Sequence, residues 1–233
     1  MLKKILVTGG DGRFAQELKK IKSRYKFIFR SKKQLNILSS KSIKKNFQRF
    51  KPHIILHLAG LSRPMNIHKK EISSSIDLNI IGTANIVKLC EEKKIKVIFF
   101  STSYVYPGSK GSYKENDSLL PWNNYGWSKL GAESSVQMYK NSLIIRACMT
   151  EKPFTHKFAF TNVKSNFIFH DQFAKILIRL IPFKGIINIG GKSQTIYKFA
   201  KKFNKKVKGK KSKGQLPLKM DMNLKKLKQI LRR

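Results

Sequence analysis

Short apolar runs of strand length alternate with segments of helical spacing along most of this chain of 233 residues. This alternation is typical of repeated βα units and predicts an α/β fold built on a doubly wound parallel sheet. The predicted strands are Leu2–Thr8, Lys26–Arg30, His53–Leu58, Lys96–Ser101, Leu143–Ala147 and Gly185–Ile189. The predicted helices are Arg13–Lys22, Ser39–Phe50, Glu71–Glu92, Trp122–Lys140, His170–Ile181 and Ser193–Phe203, with Ser39 and Ser193 as N-caps.

The composition is that of a globular protein. Hydrophobic residues make up 41% of the chain, and no apolar run approaches the roughly 18 residues of a membrane span. The N-terminus runs straight into the first strand, so we expect no signal peptide, no membrane contact and a cytoplasmic location. Cys90 and Cys148 lie in apolar segments without metal-ligand spacing, which indicates buried free thiols and no metal site.

The net charge of +38 would suit a nucleic acid or an anionic membrane. However, most basic residues are lysines spread along the chain, whereas interfaces that read bases favour arginine. The most basic segment, 198–233, has only Phe199 and Phe203 as aromatic residues for stacking on bases. A nucleic-acid partner is therefore not expected, and a solvated basic face is the favoured interpretation.

A glycine-rich turn follows the first predicted strand. Gly9, Gly12 and Ala15 have the spacing G-x-x-G-x-x-A, and an apolar-periodic helix follows. Glycine lets a pyrophosphate approach the backbone, and a helix N-terminus supplies N–H groups and a positive dipole end. The turn therefore predicts a Rossmann dinucleotide site in which Gly9, Gly12, Arg13 and Phe14 contact the cofactor.

The end of the second strand bears on the choice between NAD(H) and NADP(H). An acidic residue there would bind the adenosine ribose of NAD, but this strand ends at Arg30, followed by Ser31-Lys32-Lys33. Cationic groups suit a 2′-phosphate, and Arg13 is close enough to help. We therefore favour NADP(H) over NAD(H), although a chain this basic places lysines in most loops.

A tyrosine and a lysine four residues apart on one helix can form an acid–base pair. Tyr125 and Lys129 have this spacing, and Thr102 follows the fourth predicted strand, at the sheet edge where ligands bind. An ammonium group one helical turn away should lower the pKa of Tyr125 from its ordinary value near 10. The same spacing recurs outside a helix or far from these strands, at Tyr106/Lys110 and Tyr197/Lys201.

Five motifs follow one another in a fixed order. They are the Gly9 turn, His57-Leu58-Ala59-Gly60, Asn79 followed by Gly82-Thr83, Ser101-Thr102-x-x-Val105-Tyr106, and Tyr125-x-x-x-Lys129. Together they resemble the extended short-chain dehydrogenase/reductase family over most of the chain. Within that family they look most like the sugar-nucleotide reductase branch, typified by dTDP-4-dehydrorhamnose reductase.

The resemblance implies an NAD(P)-dependent oxidoreductase that transfers hydride from NADPH to a 4-keto group of a nucleotide-activated deoxysugar. It assigns the proton donor to Tyr125, the carbonyl-orienting hydroxyl to Thr102 and a nicotinamide-ribose contact to Lys129. Asn79 either supports the lysine through a water or only packs in its helix. Further implied cofactor contacts are Asn36, Ile37, Leu58, Ala59, Gly60 and Asn79.

Ser103-Tyr104 bears on the reaction type, because similar dehydratases carry an Asp-Glu pair there and similar epimerase-reductases a cysteine. Simple reduction is therefore favoured. The alternatives are a sugar-nucleotide epimerase or dehydratase, and a non-catalytic NADP-binding protein similar to the regulatory subunit of methionine adenosyltransferase.

The C-terminal half is shorter than is usual in this family. We expect an NAD(P)-binding Rossmann domain over residues 1–149 and a small substrate-binding portion over 150–233 that partly completes the sheet. Basic groups for a substrate diphosphate are Arg63, Arg146 and Lys152. A homodimer is a hypothesis that the sequence leaves open.

Overall fold

The computed structural model describes residues 2–232, which form a six-stranded parallel sheet with helices on both faces and a smaller lobe. The strands are β1 (Lys4–Thr8), β2 (Lys26–Arg30), β3 (Ile54–His57), β4 (Lys96–Thr102), β5 (Ser142–Ala147), β6 (Met149–Thr150), β7 (Phe158–Phe160), β8 (Lys164–Ser165), β9 (Ile168–Phe169), β10 (Gly185–Ile189), β11 (Gln194–Thr195) and β12 (Lys208–Lys210). The helices are α1 (Arg13–Lys19), α2 (Ser40–Phe50), α3 (Ile67–Lys70), α4 (Ile72–Ser75), α5 (Gly82–Glu92), α6 (Asn124–Gln137), α7 (His170–Leu180), α8 (Ile196–Lys201) and α9 (Lys225–Arg232). A π-helical segment, Ile76–Ile81, joins α4 to α5, and a 3₁₀ turn, Ser103–Val105, follows β4.

The main sheet has the strand order β10-β5-β4-β3-β1-β2, and all neighbouring strands are parallel. This confirms the predicted doubly wound parallel sheet. The strand order reverses between β1 and β3, and ligands of such sheets bind beside this point at the carboxyl ends of the strands. The glycine turn after β1 and Thr102 at the end of β4 both lie at this edge.

Two apolar layers cover the sheet, so β4 is buried along its whole length. One layer packs α1, α7 and α9 against the sheet through side chains such as Phe173 and Leu227. The other packs α2, α5 and α6 through side chains such as Ile86 and Val136. This second layer holds α6, the helix of Tyr125, against β4 and β5.

The smaller lobe follows β5 and has its own apolar cluster, which includes Phe154, Val163, Phe199 and Met220. Three short strand pairs hold it together: β6 with β9, β7 with β12, and β8 with β11. Strand β10 belongs to the portion after residue 149 that was expected partly to complete the sheet, and it lies in the main sheet beside β5. The boundary itself stays a prediction.

Several helix ends differ from the prediction, and the predicted helix Glu71–Glu92 is divided into α4, the π-helical segment and α5. Helix α1 ends at Lys19 instead of Lys22. Ser193 is not an N-cap, because its hydroxyl donates to Asp221 at 2.8 Å. Thr195 caps α8 instead, and its hydroxyl oxygen accepts the N–H of Lys198 at 3.2 Å.

Both cysteines are buried free thiols, which confirms the prediction for Cys90 and Cys148. Within residues 2–232, no helix is long and apolar enough to cross a membrane.

Candidate active site

A cleft of about 900 Å³ runs along the carboxyl edge of the sheet and into the smaller lobe. Most of the predicted site residues line it: Gly9, Gly12, Arg13, Phe14, Leu58, Gly60, Thr102, Tyr125 and Lys129. The structure thus brings the glycine turn and the three predicted catalytic side chains to one place. The predicted residues outside this lining are Arg30, Asn36, Ile37, Ala59 and Asn79.

The turn between β1 and α1 requires glycine at position 9. Gly9 has a φ of +67°, and a Cβ there would lie 2.8 Å from the backbone nitrogen of Ala59. The N–H of Gly12 donates to the carbonyl of Gly9 at 2.9 Å and closes the turn. Gly12 is also the N-cap of α1 and has no side chain to cover the first N–H groups of the helix. This backbone cradle fits the pyrophosphate that the motif predicts.

Tyr125 lies in the first turn of α6, directly beside the end of β4. Asn123 caps this helix, and its Oδ1 accepts the N–H of Gly126 at 2.7 Å. Gly126 packs so closely that a Cβ would lie 2.4 Å from the carbonyl oxygen of Tyr104. This close packing places Tyr125 near Thr102 at the carboxyl end of β4.

Burial dominates the ionisation of the Tyr–Lys pair. It raises the pKa of Tyr125 to about 12, although the nearby Thr102 side chain and the charge of Arg63 act downward. Burial also lowers the pKa of Lys129 to about 7, against the influence of Glu133. A lysine with this pKa is partly neutral at neutral pH, so it stabilises a neighbouring phenolate only weakly. The lowering of the Tyr125 pKa by Lys129, expected from the spacing, is therefore not what the structure shows.

Lys129 packs on β4, and Asn79 bonds to both the loop after β3 and α6. The Nζ of Lys129 lies 4.1 Å from the centroid of the Phe99 ring. Asn79 Oδ1 accepts the N–H of Leu61 at 2.7 Å, while its Nδ2 donates to the Leu61 carbonyl and to Ser128 Oγ. These bonds hold the loop after β3 against α6, which favours the packing alternative for Asn79.

The residues predicted to bind the adenosine end lie around the end of β2. The Nε of Arg30 donates to Asn46 Oδ1 at 3.1 Å, and its guanidinium lies over the Phe50 ring. Asn36 is exposed, and its side-chain oxygen accepts a backbone N–H two residues further on. Ile37 is a core residue with 4% exposure. Arg30 and Asn36 stay predictions as cofactor contacts, and any contact from Ile37 would come from its backbone.

Arg146 does not serve a diphosphate, so that prediction is wrong. Its side chain is only 2% exposed and pairs with Glu133 at 2.8 Å. The same guanidinium donates to the Tyr106 hydroxyl at 2.9 Å. Arg146 therefore joins β5 to α6 behind the site instead of facing the cleft.

Arg13 and Arg63 meet at one acidic residue in the mouth of the cleft. Their Nη1 atoms lie 2.5 and 2.6 Å from the same oxygen, Oε1 of Glu151. Sequence reasoning placed Arg13 near a 2′-phosphate, but its guanidinium points to Glu151. Sequence reasoning did not identify Glu151, which lies in an irregular segment far along the chain from both arginines.

The end of the cleft in the smaller lobe is aromatic and basic. Phe158 and Phe160 of β7 lie beside Lys210 of β12, whose Nζ is 5.6 and 5.1 Å from the two ring centroids. Lys157 lines the same region. Sequence reasoning missed this surface because both strands are three residues long. The alternation Phe158-Ala159-Phe160 was the available signal.

Comparisons with known proteins identify relatives of this chain. The family model described as RmlD substrate binding domain matches residues 3–163. Methionine adenosyltransferase 2 subunit beta of Xenopus laevis is 33% identical over 102 residues, which cover 44% of this chain and 30% of that protein. The spore coat polysaccharide biosynthesis protein SpsK of Bacillus subtilis (strain 168) is 33% identical over 148 residues, or 61% of this chain and 52% of SpsK. The chain thus spans about half or less of these relatives.

Solved structures with this fold cover nearly the whole chain. The dTDP-4-dehydrorhamnose reductase of Bacillus anthracis str. Ames, in complex with NADP, has a TM-score of 0.87 at 20% identity, covering 98% of this chain and 92% of that one. A hypothetical dTDP-4-dehydrorhamnose reductase from Sulfolobus tokodaii has a TM-score of 0.83 at 22% identity, with coverages of 97% and 94%. At identities of 20% and 22%, the similarity to these structures establishes the fold alone.

Proposed function

The chain belongs to the RmlD substrate binding domain family, and on that premise we propose that it reduces a 4-keto group of a nucleotide-activated deoxysugar with NADPH. One observation carries this proposal: Thr102, Tyr125 and the Gly9 turn line a single cleft. The similar fold described with NADP bound supports the choice of cofactor class.

The chain's own residues fit a dinucleotide. Gly9 and Gly12 form a turn in which the positive φ of Gly9 and its close approach to the Ala59 backbone require glycine, and their backbone would hold the pyrophosphate. Lys129 and Tyr125 would hold the nicotinamide ribose, and Arg30 would meet a 2′-phosphate. When bound, NADPH supplies the hydride.

Tyr125 acts as the general acid in this proposal. With a pKa of about 12 its phenol is protonated at neutral pH, and it can donate to the substrate oxygen because the alkoxide formed on reduction is a stronger base than the phenolate. Thr102 orients that oxygen, and the charge of Arg63 favours the phenolate left behind. Lys129, with a pKa of about 7, can hold or release a proton one helical turn away.

The remaining polar groups near Thr102 favour simple reduction over epimerisation. Burial raises the pKa of Tyr104 far above its usual value, and burial also raises that of Cys148. Neither group is therefore a ready base at neutral pH. Ser103 is buried and carries no ionisable group.

The aromatic and basic end of the cleft supports a nucleotide-linked substrate. Phe158 and Phe160 offer ring faces for a base, and Lys157 and Lys210 offer ammonium groups for a diphosphate. The sugar would then extend along the cleft towards Thr102. Turnover measurements with different nucleotide sugars would identify the sugar and the base.

We expect the purified protein to oxidise NADPH when it is mixed with a dTDP-linked 4-keto-6-deoxy sugar. The measurement is the loss of NADPH absorbance together with identification of the reduced sugar. Tight NADPH binding with no turnover on dTDP- or UDP-linked keto sugars would contradict the proposal. That outcome would favour a second candidate, a non-catalytic regulatory protein, to which the similarity with methionine adenosyltransferase 2 subunit beta points.

Arg30→Ala should raise the KM for NADPH by about tenfold and leave that for NADH nearly unchanged, because one charge-assisted phosphate contact contributes on that scale. The matched control is Arg49→Ala, because both guanidinium groups lie 5.2 Å from the centroid of the Phe50 ring. The measurement is the ratio of kcat/KM for the two cofactors. An equal loss with both cofactors, or an equal change in the control, would show that Arg30 does not select NADPH.

A further inference from the structure

Glu151 lies between two arginines that come from different parts of the chain. Arg13 follows the glycine turn, Arg63 belongs to the loop after β3, and Glu151 follows β6 directly. Both arginines use Nη1 and both reach the same oxygen, Oε1, at 2.5 and 2.6 Å. One carboxylate oxygen therefore joins three segments around the mouth of the cleft.

A carboxylate is unexpected at this position. The chain has 12 acidic residues against 50 lysines and arginines. Glu151 is the only carboxylate among the described residues that line the cleft, where Arg13, Arg63, Lys157 and Lys210 all favour anions. A negative charge there reduces the attraction for a phosphate-bearing ligand, so its position between the two arginines calls for a specific explanation.

The contacts of Glu151 Oε1 resemble those of a phosphate oxygen. Guanidinium groups bind carboxylates and phosphates through the same charge-assisted hydrogen bonds. The side chains of Arg13, Arg63 and Glu151 are 51%, 43% and 37% exposed. Ion pairs with this much exposure contribute little stability and exchange readily.

We propose that Glu151 stands in for a phosphate oxygen of the ligand: it holds Arg13 and Arg63 until a diphosphate enters the cleft, and then yields one or both guanidinium groups to it. The exchange keeps the arginines ordered and lowers the charge repulsion between them. Whether this diphosphate belongs to the cofactor or to the nucleotide sugar rests on the proposed function. The exchange itself does not.

Glu151→Gln should therefore bind diphosphates more tightly. The amide keeps the shape of the side chain but competes weakly for the guanidinium groups. Because exposed ion pairs are weak, we expect the Kd for the affected ligand to fall by about threefold to tenfold. The gain should shrink at about 0.5 M salt, because screening weakens the competing ion pairs.

The experiment is isothermal titration calorimetry of the wild-type protein and the variant with NADPH, with dTDP and with inorganic pyrophosphate, at low and high salt. Glu17→Gln is the matched control. This variant removes one negative charge near Arg13, as Glu151→Gln does. Glu17 pairs with Lys20 and does not line the cleft. Tighter binding of NADPH alone would assign the exchange to the cofactor, and tighter binding of dTDP alone to the nucleotide sugar.

Unchanged or weaker binding of all three ligands by Glu151→Gln would overturn the proposal, and so would an equal gain in Glu17→Gln. Weaker binding would mean that Glu151 only positions the arginines. Because the readout is binding, a protein that reduces no keto sugar can still pass this test. An active reductase can equally fail it.

Discussion

Replacing Tyr125 with phenylalanine is expected to lower kcat for keto-sugar reduction by a factor of about 100 to 10,000, the usual contribution of one general acid. The variant removes the hydroxyl near Thr102 and therefore the proposed proton donor. The ring is retained, so its packing against His68 and Tyr104, with centroids 5.0 and 6.0 Å away, is retained as well. The measurement is steady-state NADPH oxidation at saturating substrate.

Tyr197→Phe is the matched control, because Tyr197 and Lys201 share the Tyr-x-x-x-Lys spacing but lie on α8 in the smaller lobe. Its kcat should equal that of the wild type. NADPH binding to Tyr125→Phe should stay within about threefold of the wild type, since the loss belongs to the chemical step. A variant that keeps most of its kcat would exclude Tyr125 as the proton donor.

The contrast between these two tyrosines shows what sequence spacing can establish. Tyr125 could be located from the sequence because it follows Thr102 on the next helix, and α/β topology carries both residues to one sheet edge. The pKa values could not be predicted from spacing. They depend on burial, which makes Tyr125 a weaker acid and Lys129 a weaker base than in water.

The strands of the main sheet were predictable because each is a short apolar run, and the inner strands β1, β3, β4 and β5 are buried between two layers of helices. Helix α9 was missed, because its lysines obscure an apolar stripe of only two buried residues, Leu227 and Ile230. The short strands of the smaller lobe were not predicted, for a related reason. Strands of two or three residues carry at most one alternation, as in β7, which is too short to identify a strand, and only their partners from distant parts of the chain define them.

Charged side chains were the least predictable part of the site. Arg146 and Arg63 look alike in the sequence as basic residues near strand ends. One is buried against Glu133 and the other is half-exposed against Glu151. The difference arises from α6, which brings Glu133 behind β5, and this depends on helix rotation rather than on local sequence. The partner decides the role of each arginine.

Glu133→Ala is expected to destabilise the fold by about 3–5 kcal/mol, because it leaves the buried Arg146 guanidinium without its countercharge. Glu133 is 0% exposed and Arg146 is 1% exposed. Both carboxylate oxygens of Glu133 accept from this guanidinium, at 2.8 to 3.2 Å. The measurement is the free energy of unfolding in urea. Because Glu133 and Tyr125 share α6, the loss should also loosen the helix that carries the proposed proton donor.

The control is Glu91→Ala, which removes an exposed ion pair with Lys94 at 2.6 Å and should cost less than about 1 kcal/mol. The double variant Glu133→Leu/Arg146→Met should be more stable than Glu133→Ala, because it removes the unpaired charge and fills the space with apolar groups. A loss in Glu133→Ala no larger than that in Glu91→Ala would mean that water reaches Arg146. A double variant less stable than Glu133→Ala would place the main stabilisation in the bonds from Arg146 to Tyr106 and the Glu115 carbonyl.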